Sequence, residues 1–198
     1  MLSFVSRSAR RLTSGPGAAA LVERLAAGDA SALEPLYRLE ADAVYRFALA
    51  LCGNPAWAAD ATQEAFVALA DRPRAWDPAR GSLGAWLAGV ARHALLAVWR
   101  ATHRHEPWPD DDEDDPQAAA DSPETLLVQA QDLDRVWRAL RTLPWPFREA
   151  VVLVDLQERP YIEAAAVAGI EVNTLRTRLH RGRLRLADAL RGEPGARS

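Results

Sequence analysis

Residues 173–186, NTLRTRLHRGRLRL, form the stretch whose side chains most clearly indicate a binding chemistry. Five of them are arginines and none is acidic, although the whole chain has a formal net charge of -3. Guanidinium groups donate paired hydrogen bonds to guanine and also bind phosphate. At helical spacing, one side carries Leu175, Leu179, Gly182 and Leu186, and facing away from it are Arg176, His180, Arg181 and Arg185. The pattern predicts a helix with an apolar back and a cationic front that fits the major groove of duplex DNA.

The preceding residues 159–172, RPYIEAAAVAGIEV, supply the rest of a helix-turn-helix pattern. Gly169 suits the turn because glycine reaches positive φ without a clash of a Cβ atom. Ala165 is small enough for two helices to approach closely. The alternative is a solvated helix whose arginines only favour its own dipole. Ordinary exposed helices mix both signs of charge, however, and this one does not.

An acidic segment separates the basic C-terminal part from the rest of the chain. Nine acids and no bases lie between Glu106 and Glu124, so the remaining residues carry a net charge of +6. Four prolines interrupt the same segment. Like charges with prolines and few apolar residues cannot fold by burial. We therefore predict a flexible linker at residues 105–124.

Apolar residues recur at three- and four-residue steps on both sides of this linker. Before it, the inward positions are predicted to include Leu33, Leu36, Tyr37, Val44, Phe47, Leu51, Leu83, Trp86, Leu87, Val90, Ala94, Leu95 and Val98. After it, they are Leu126, Leu133, Val136, Trp137 and Leu140. The run VVLV at 151–154 could be a strand, but no second run could pair with it, which favours a buried helix. The sequence predicts an all-α fold with a disordered leader at 1–17, helical domains at 18–104 and 125–191, and a tail at 192–198.

Composition argues against several classes of protein. Cys52 is the single cysteine, so no internal disulfide can form, and no apolar run approaches the roughly 20 residues of a membrane span. We expect a cytoplasmic protein without membrane insertion, although the acid-free leader would also suit an organelle presequence. No glycine-rich phosphate loop or nucleophile elbow appears, so neither catalysis nor a cofactor is expected. A metal site at His103, His105 and nearby aspartates is a weaker alternative, because nothing fixes its geometry.

Two sets of motifs resemble one family in the same order. LPWPFREAVVL and YIEAAAVAGIEVNTLRTRLHRGRLRL resemble region 4 of the extracytoplasmic-function sigma factors. AGDASALEPLYR, DATQEAFVAL and WDPARGSLGAWLAGVAR resemble region 2 of that family, and the likeness spans about residues 18–191. It implies a protein that directs core RNA polymerase to specific promoters and helps to open the -10 element. The implied partners are core RNA polymerase, promoter DNA and an anti-sigma factor.

The resemblance also implies roles for particular residues. Contacts to the -35 element would come from Asn173, Thr174, Arg176, Thr177, Arg178, His180, Arg181 and Arg185. Contacts to the -10 element would come from Trp86, Arg92, His93, Trp99, Arg100 and Arg104. Docking on the clamp helices of RNA polymerase would use Asp60, Gln63 and Glu64. Where the family usually has Asn and Asp, this chain has His93 and Ala97, which affects recognition of the -10 element most.

Two further interpretations stay open at this point. A helix-turn-helix regulator with a helical sensing domain would bind operators as a symmetric dimer, without polymerase, but it leaves DATQEAF and WDPARGSLGAWL unexplained. The acidic linker is either a simple solvated tether or, by resemblance, a segment that threads the polymerase cleft until the growing RNA displaces it.

Overall fold

The computed structural model describes residues 16–102 and 133–192, and within these residues every regular element is helical. The all-α class predicted from the sequence is therefore confirmed. The described helices fall into two compact units. The acidic linker predicted at 105–124, most of the leader and most of the tail lie outside the described residues.

The first unit contains four α-helices among its described residues. They are α1 (Pro16–Ala26), α2 (Leu33–Cys52), α3 (Pro55–Asp71) and α4 (Leu83–Thr102). Short 3-10 helices lie at Ala30–Ala32 and Pro73–Ala75. Helices α2, α3 and α4 pack against one another around a core of leucine and phenylalanine side chains: Leu36, Phe47, Leu51, Phe66, Leu69, Leu83, Leu87 and Leu95.

A tight connection makes α2 and α3 an antiparallel hairpin. Gly53 ends α2 with a φ of 66°, the left-handed conformation that glycine adopts at low cost. The side-chain oxygen of Asn54 then accepts hydrogen bonds from the backbone of Ala56 at 2.9 Å and of Trp57 at 3.2 Å. Asn54 thus caps α3, and Pro55 supplies a first residue already fixed in a helical φ.

The loop between α3 and α4 is fixed by one buried aromatic side chain. Trp76 is buried, and its Nε1 donates a hydrogen bond to the carbonyl oxygen of Gly81 at 3.0 Å. The Ser82 hydroxyl then accepts a bond from the backbone of Ala85 at 3.1 Å, where α4 begins. The loop therefore brings α4 out of the turn in a defined direction.

The second unit contains three α-helices and most of a fourth. They are α5 (Leu133–Thr142), α6 (Trp145–Val151), α7 (Tyr161–Ala168) and α8 (Val172–Gly192), of which α7 lies only partly in this unit. A π-helical turn, Val152–Leu156, continues α6, so the run VVLV is helical, as predicted. Within the run VVLV, Val151 to Leu153 are buried.

Gly182 lets α8 approach the backbone of α6 closely. A Cβ atom at this position would lie 2.8 Å from the carbonyl oxygen of Phe147 and 2.8 Å from Cγ2 of Val151. Real Cβ atoms do not come so near, so only glycine fits this contact. The core beside it contains Leu140, Phe147, Leu153, Leu175 and Leu179.

The turn of the helix-turn-helix forms as predicted. Gly169 has a φ of 68°. Its backbone N–H bonds the carbonyl of Ala166, and the N–H of Ile170 bonds that of Ala165 at 3.1 Å. This pair of bonds is a Schellman motif, in which a glycine in the left-handed conformation satisfies the last carbonyls of a helix. It ends α7 and leads the chain directly into α8.

Three side chains that were predicted to point inward are exposed instead. Tyr37 on α2 is 50% exposed, Val98 on α4 is 37% exposed and Trp137 on α5 is 39% exposed. Each lies at the edge of an apolar stripe that is broader than the area its neighbours cover. The prediction for these three residues was wrong.

Candidate nucleic-acid interface

One side of α8 is open to solvent and carries most of the polar residues that the sequence singled out. We call this surface the α8 front: Asn173, Arg176, Thr177, His180, Arg181 and Leu184. Asn173, Arg176 and Leu184 are exposed, and the other three are half-buried, as is the predicted contact Thr174. The predicted apolar back of α8 is confirmed, because Leu175, Leu179, Gly182 and Leu186 are buried. Between Val172 and Leu186, α8 contains no acidic residue.

Arg178 does not belong to the α8 front. It is only 6% exposed, so the side chain is not accessible for the contact to the -35 element that the resemblance implied. Helical spacing explains why, since Arg178 comes three residues after Leu175 and four before Gly182. It therefore lies on the same side of α8 as the apolar back. The sequence contained this signal.

Two further arginines of α8 are engaged by their own domain. The Arg183 guanidinium donates to both carboxylate oxygens of Asp155, at 3.1 and 2.7 Å. These bonds, above all, raise the pKa of Arg183 and fix its side chain across α8 and the π-helical turn. Arg185 is exposed, but its guanidinium carbon lies 4.5 Å from the centre of the Phe147 ring. A cation over an aromatic face gains electrostatic attraction, which holds Arg185 close to α6.

Arg176 and Arg181 are the arginines of the α8 front. Neither forms an ion pair with an acid among residues 16–102 and 133–192. Arg176 is held from two directions, because its Nη1 lies 3.4 Å from Oδ1 of Asn173 and its guanidinium carbon lies 5.7 Å from the centre of the Tyr161 ring. Both neighbours limit its rotamers, so the cation is partly oriented before any ligand arrives.

Helix α4 presents a second row of candidate contacts. Trp86, His93 and Arg100 follow one another at seven-residue steps, so they share one side of the helix over about 21 Å. Trp86 is half-buried, and His93 and Arg100 are exposed. The residues between them on this side are the small Gly89 and Ala97, which leave the row accessible. An aromatic ring, an imidazole and a guanidinium in one row could stack on bases and meet phosphates.

The other residues assigned to the -10 element lie elsewhere. Arg92 is only 7% exposed, so the expectation of an accessible side chain there was wrong. It comes four residues after Ala88 and three before Leu95, which are both buried, and so it lies on the core side of α4. Trp99 is half-buried, and Arg104 lies outside the described residues.

The three residues assigned to polymerase share one exposed side of α3. Asp60, Gln63 and Glu64 are all exposed and stand three and four residues apart, as predicted from their spacing. Asp71, also exposed, lies on the same side and is the last residue of α3. This surface is acidic, in contrast to the α8 front.

Candidate metal ligands do not cluster in the described residues. No group of three or more His, Cys, Asp or Glu side chains within 16–102 and 133–192 could hold a metal ion. The alternative site at His103 and His105 falls outside these ranges.

No helix in the described part of the chain is both long enough and apolar enough to cross a membrane.

The described residues form an all-helical protein with a helix-turn-helix, and the second helix of that motif presents cations to solvent. Comparison with known families narrows this class. The family described as Sigma-70 region 2 matches residues 36–108, and the family described as Sigma-70, region 4 matches residues 133–186. The sigma factor SigC of Mycobacterium tuberculosis is 33% identical over 179 residues, which cover 86% of this chain and 90% of SigC. The chain belongs to the extracytoplasmic-function (ECF) sigma factor family.

Two longer relatives of the same family also match this chain. The sigma factor SigE of Mycolicibacterium smegmatis is 35% identical over 170 residues, which cover 83% of this chain. This chain spans less than two thirds of SigE and of BldN from Streptomyces coelicolor, 65% and 64% of their lengths.

Two solved structures have a similar fold. CnrH, in complex with the cytosolic domain of CnrY, superposes with a TM-score of 0.65 at 23% identity, over 89% of this chain and 99% of CnrH. RpoE, in complex with the anti-sigma factor NepR from Bartonella quintana, gives a TM-score of 0.61 at 24% identity, over 81% of this chain and 97% of RpoE.

Proposed function

We propose that this protein is a promoter-specificity factor that directs core RNA polymerase to its start sites and acts by binding rather than by catalysis. The observation that carries the proposal is the presence, in one chain, of both sigma regions together with an exposed cationic face on the second helix of the helix-turn-helix. A regulator that binds operators on its own would need the helix-turn-helix but not region 2. We therefore favour the sigma factor over that alternative.

In this proposal the α8 front contacts the -35 element as duplex DNA. Recognition helices insert their N-terminal residues into the major groove, and Arg176, Thr177, His180 and Arg181 lie in the first half of α8. Arg176 is the best placed to bond a guanine edge, because it is exposed and already oriented. Asn173 and Thr174, at the start of α8, would bond backbone phosphates, and Arg185 beside Phe147 would reach a phosphate rather than a base.

The α4 row would meet the -10 element after the strands separate. Trp86 and His93 offer flat rings on which unpaired bases could stack, and Arg100 offers a cation to the strand backbone. Stacking tolerates different bases, whereas an amide side chain bonds particular base edges. His93 in place of the usual Asn would therefore change the base preference of this element.

Partners other than DNA complete the proposal. The acidic side of α3 with Asp60, Gln63 and Glu64 would dock on core RNA polymerase, and the protein would act in the cytoplasm where polymerase works. An anti-sigma factor is a further partner, because the solved structures of RpoE and CnrH contain NepR and CnrY.

Run-off transcription tests the proposal as a whole. Purified core polymerase is assayed with and without this protein on a panel of promoter fragments. We expect new transcripts from a subset of promoters only when the protein is present. If the protein instead binds a palindromic duplex as a dimer and adds no transcript, the regulator is the correct function.

A further inference from the structure

Arg183 extends the row of cations on α8 into the second half of the helix. It follows Arg176 by seven residues, which is two turns, so the two side chains leave the same side of α8 about 10 Å apart. Arg176 belongs to the α8 front and forms no ion pair with a described acid, whereas Arg183 is bound by Asp155. Of these two arginines, the first is available to an anionic ligand and the second is occupied.

The ion pair of Arg183 with Asp155 is bidentate and lies at the surface. Nε and Nη2 of Arg183 donate to the two oxygens of the Asp155 carboxylate, at 3.1 and 2.7 Å. The two side chains are 40% and 31% exposed, so neither belongs to the core. A surface ion pair contributes little to the free energy of folding. Its main effect is to neutralise the positive charge of Arg183 beside the exposed side of α8.

The π-helical turn after α6 carries Asp155 to this position. The backbone N–H of Gln157 bonds the carbonyl oxygen of Val152, five residues earlier, at 3.0 Å. Val152 and Leu153, at the start of the turn, are buried, and Asp155 reaches the surface two residues later. Such wide turns are rare and frequently occur at functional sites. The acceptor for Arg183 thus comes from a regular element that packs on the core, and not from a loop.

Tyr161, the first residue of α7, lies beside both arginines. Its ring centre is 5.7 Å from the guanidinium carbon of Arg176. After the bonds to Asp155, the Tyr161 hydroxyl is a further cause of the raised pKa of Arg183. Asp155, Tyr161 and the two arginines therefore form one cluster along this side of α8. One carboxylate faces two guanidinium groups in this cluster, so its removal would leave both cations uncompensated.

We infer that Asp155 withholds Arg183 from the phosphate backbone of DNA and so lowers the affinity of this protein for duplexes of any sequence. The inference rests on the proposed function, in which α8 enters the major groove. Phosphates border both edges of that groove, and a free guanidinium beside them would bind them without regard to sequence. A paired guanidinium offers a phosphate no net positive charge, and the Asp155 carboxylate repels it. Contact with the bases through Arg176 does not depend on this pair.

The test measures sequence-independent binding of the full-length protein to DNA. Asp155→Ala removes both acceptors of Arg183. Asp42→Ala is the matched control, because it also removes one negative charge and releases an arginine, Arg46, on α2 of the first unit. Fluorescence anisotropy follows binding to a duplex of random sequence at several salt concentrations. We expect Asp155→Ala to bind about three- to tenfold more tightly at about 0.1 M salt, with a salt dependence steeper by about one phosphate contact, and Asp42→Ala to bind as the parent does.

A second background shows whether the gain in affinity comes from Arg183 itself. In Arg183→Gln, which has no cation to offer a phosphate, Asp155→Ala should no longer steepen the salt dependence. Preference for particular -35 bases, measured on a pool of randomised duplexes, should be the same in Asp155→Ala as in the parent protein. A residue that only supports the fold would behave differently, because its loss would weaken binding to every duplex.

Several results would overturn the inference. Unchanged binding in Asp155→Ala would show that Arg183 does not reach the backbone, and weaker binding would show that Asp155 instead orients Arg183 toward DNA. An equal gain in Asp42→Ala, or a steeper salt dependence that persists in the Arg183→Gln background, would reduce the effect to net charge.

Further variants separate this inference from the proposed function. Circular dichroism checks folding, and Asp155→Asn, which keeps the shape of the side chain, replaces Asp155→Ala if that variant does not fold. If Arg176→Ala and Arg181→Ala weaken binding to duplexes while Asp155→Ala leaves it unchanged, the inference alone is wrong. If all three variants bind as the parent does, α8 does not meet DNA and the proposed function fails as well.

Discussion

Substitution of Gly182 by alanine tests the packing that positions α8. The added Cβ atom would lie 2.8 Å from the Phe147 carbonyl oxygen and 2.8 Å from Cγ2 of Val151. Ordinary contacts between such atoms lie near roughly 3.5 Å, so α6 and α8 must separate by several tenths of an ångström. Because a backbone carbonyl is one of the two obstacles, rotation of a side chain cannot relieve the clash.

The expected loss of stability in Gly182→Ala follows from two opposing effects. Overpacking of a tight contact costs about 1–3 kcal/mol, and an obstacle in the backbone places this site in the upper half of that range. Alanine, on the other hand, favours a helix interior over glycine by about 1 kcal/mol. We therefore expect Gly182→Ala to destabilise the second unit by about 1–2 kcal/mol, which corresponds to a change of roughly 5- to 30-fold in an opening equilibrium.

Native-state hydrogen exchange measures this effect separately in each unit. In Gly182→Ala, the amides of α6 and α8 should exchange roughly 5- to 30-fold faster, whereas the exchange rates of α2, α3 and α4 should not change. Gly89→Ala on α4 is the matched control, because no atom lies within 4 Å of its added Cβ and the position is helical. That control should slow exchange in α4 by several-fold. If both substitutions slow exchange, the close approach of α8 to α6 does not constrain the fold as argued.

Two further substitutions test local contacts. Asn54→Ala removes the side-chain acceptor that caps α3, and it should lower the free energy of unfolding of the first unit by about 1 kcal/mol. The loss should be seen as faster hydrogen exchange in α3. An unchanged exchange rate would mean that solvent replaces the cap at no cost. Tyr161→Leu removes the ring beside Arg176. It should weaken binding to -35 duplexes by about 0.5–1 kcal/mol in the parent protein but have no effect in an Arg176→Ala background. Fluorescence anisotropy measures the binding in both backgrounds. Equal losses in both backgrounds would show that Tyr161 acts independently of Arg176.

The helices and the class of fold could be predicted from the sequence because their signals are local. Three- and four-residue periodicity marks an apolar stripe, and Gly53, Asn54 and Gly169 mark the ends of helices. Such signals need only neighbouring residues. The apolar back of α8 and its turn were therefore predicted correctly.

The exposure of individual side chains depends on how much of a helix's apolar stripe the neighbouring helices cover. Tyr37 and Trp137 fit a helical period, but they lie at stripe edges that the neighbouring helices leave partly exposed. Arg178 and Arg92 were predicted to be accessible because of their charge, although their spacing from Leu175 and Leu95 places them on buried sides. In these cases residue type was given more weight than position on the helix.

An apolar surface groove between α2 and α3 could not be predicted from the sequence. Its walls come from Tyr37 and Val67, which are separated by thirty residues, and its depth depends on how two helices pack. The restraint of Arg176 by Tyr161 likewise joins residues of different helices. Periodicity within one segment contains no information on such pairs.

We propose that the α8 front reads the bases of duplex DNA through Arg176. The most direct test is binding to a pool of duplexes randomised over the -35 element. It is measured for the parent protein, for Arg176→Ala and for Arg141→Ala, an exposed arginine of a different helix, α5. We predict that Arg176→Ala loses about 1–3 kcal/mol of preference at a single base position and that Arg141→Ala retains the full preference. Uniform weakening on all sequences, or no loss of preference in Arg176→Ala, would contradict the claim.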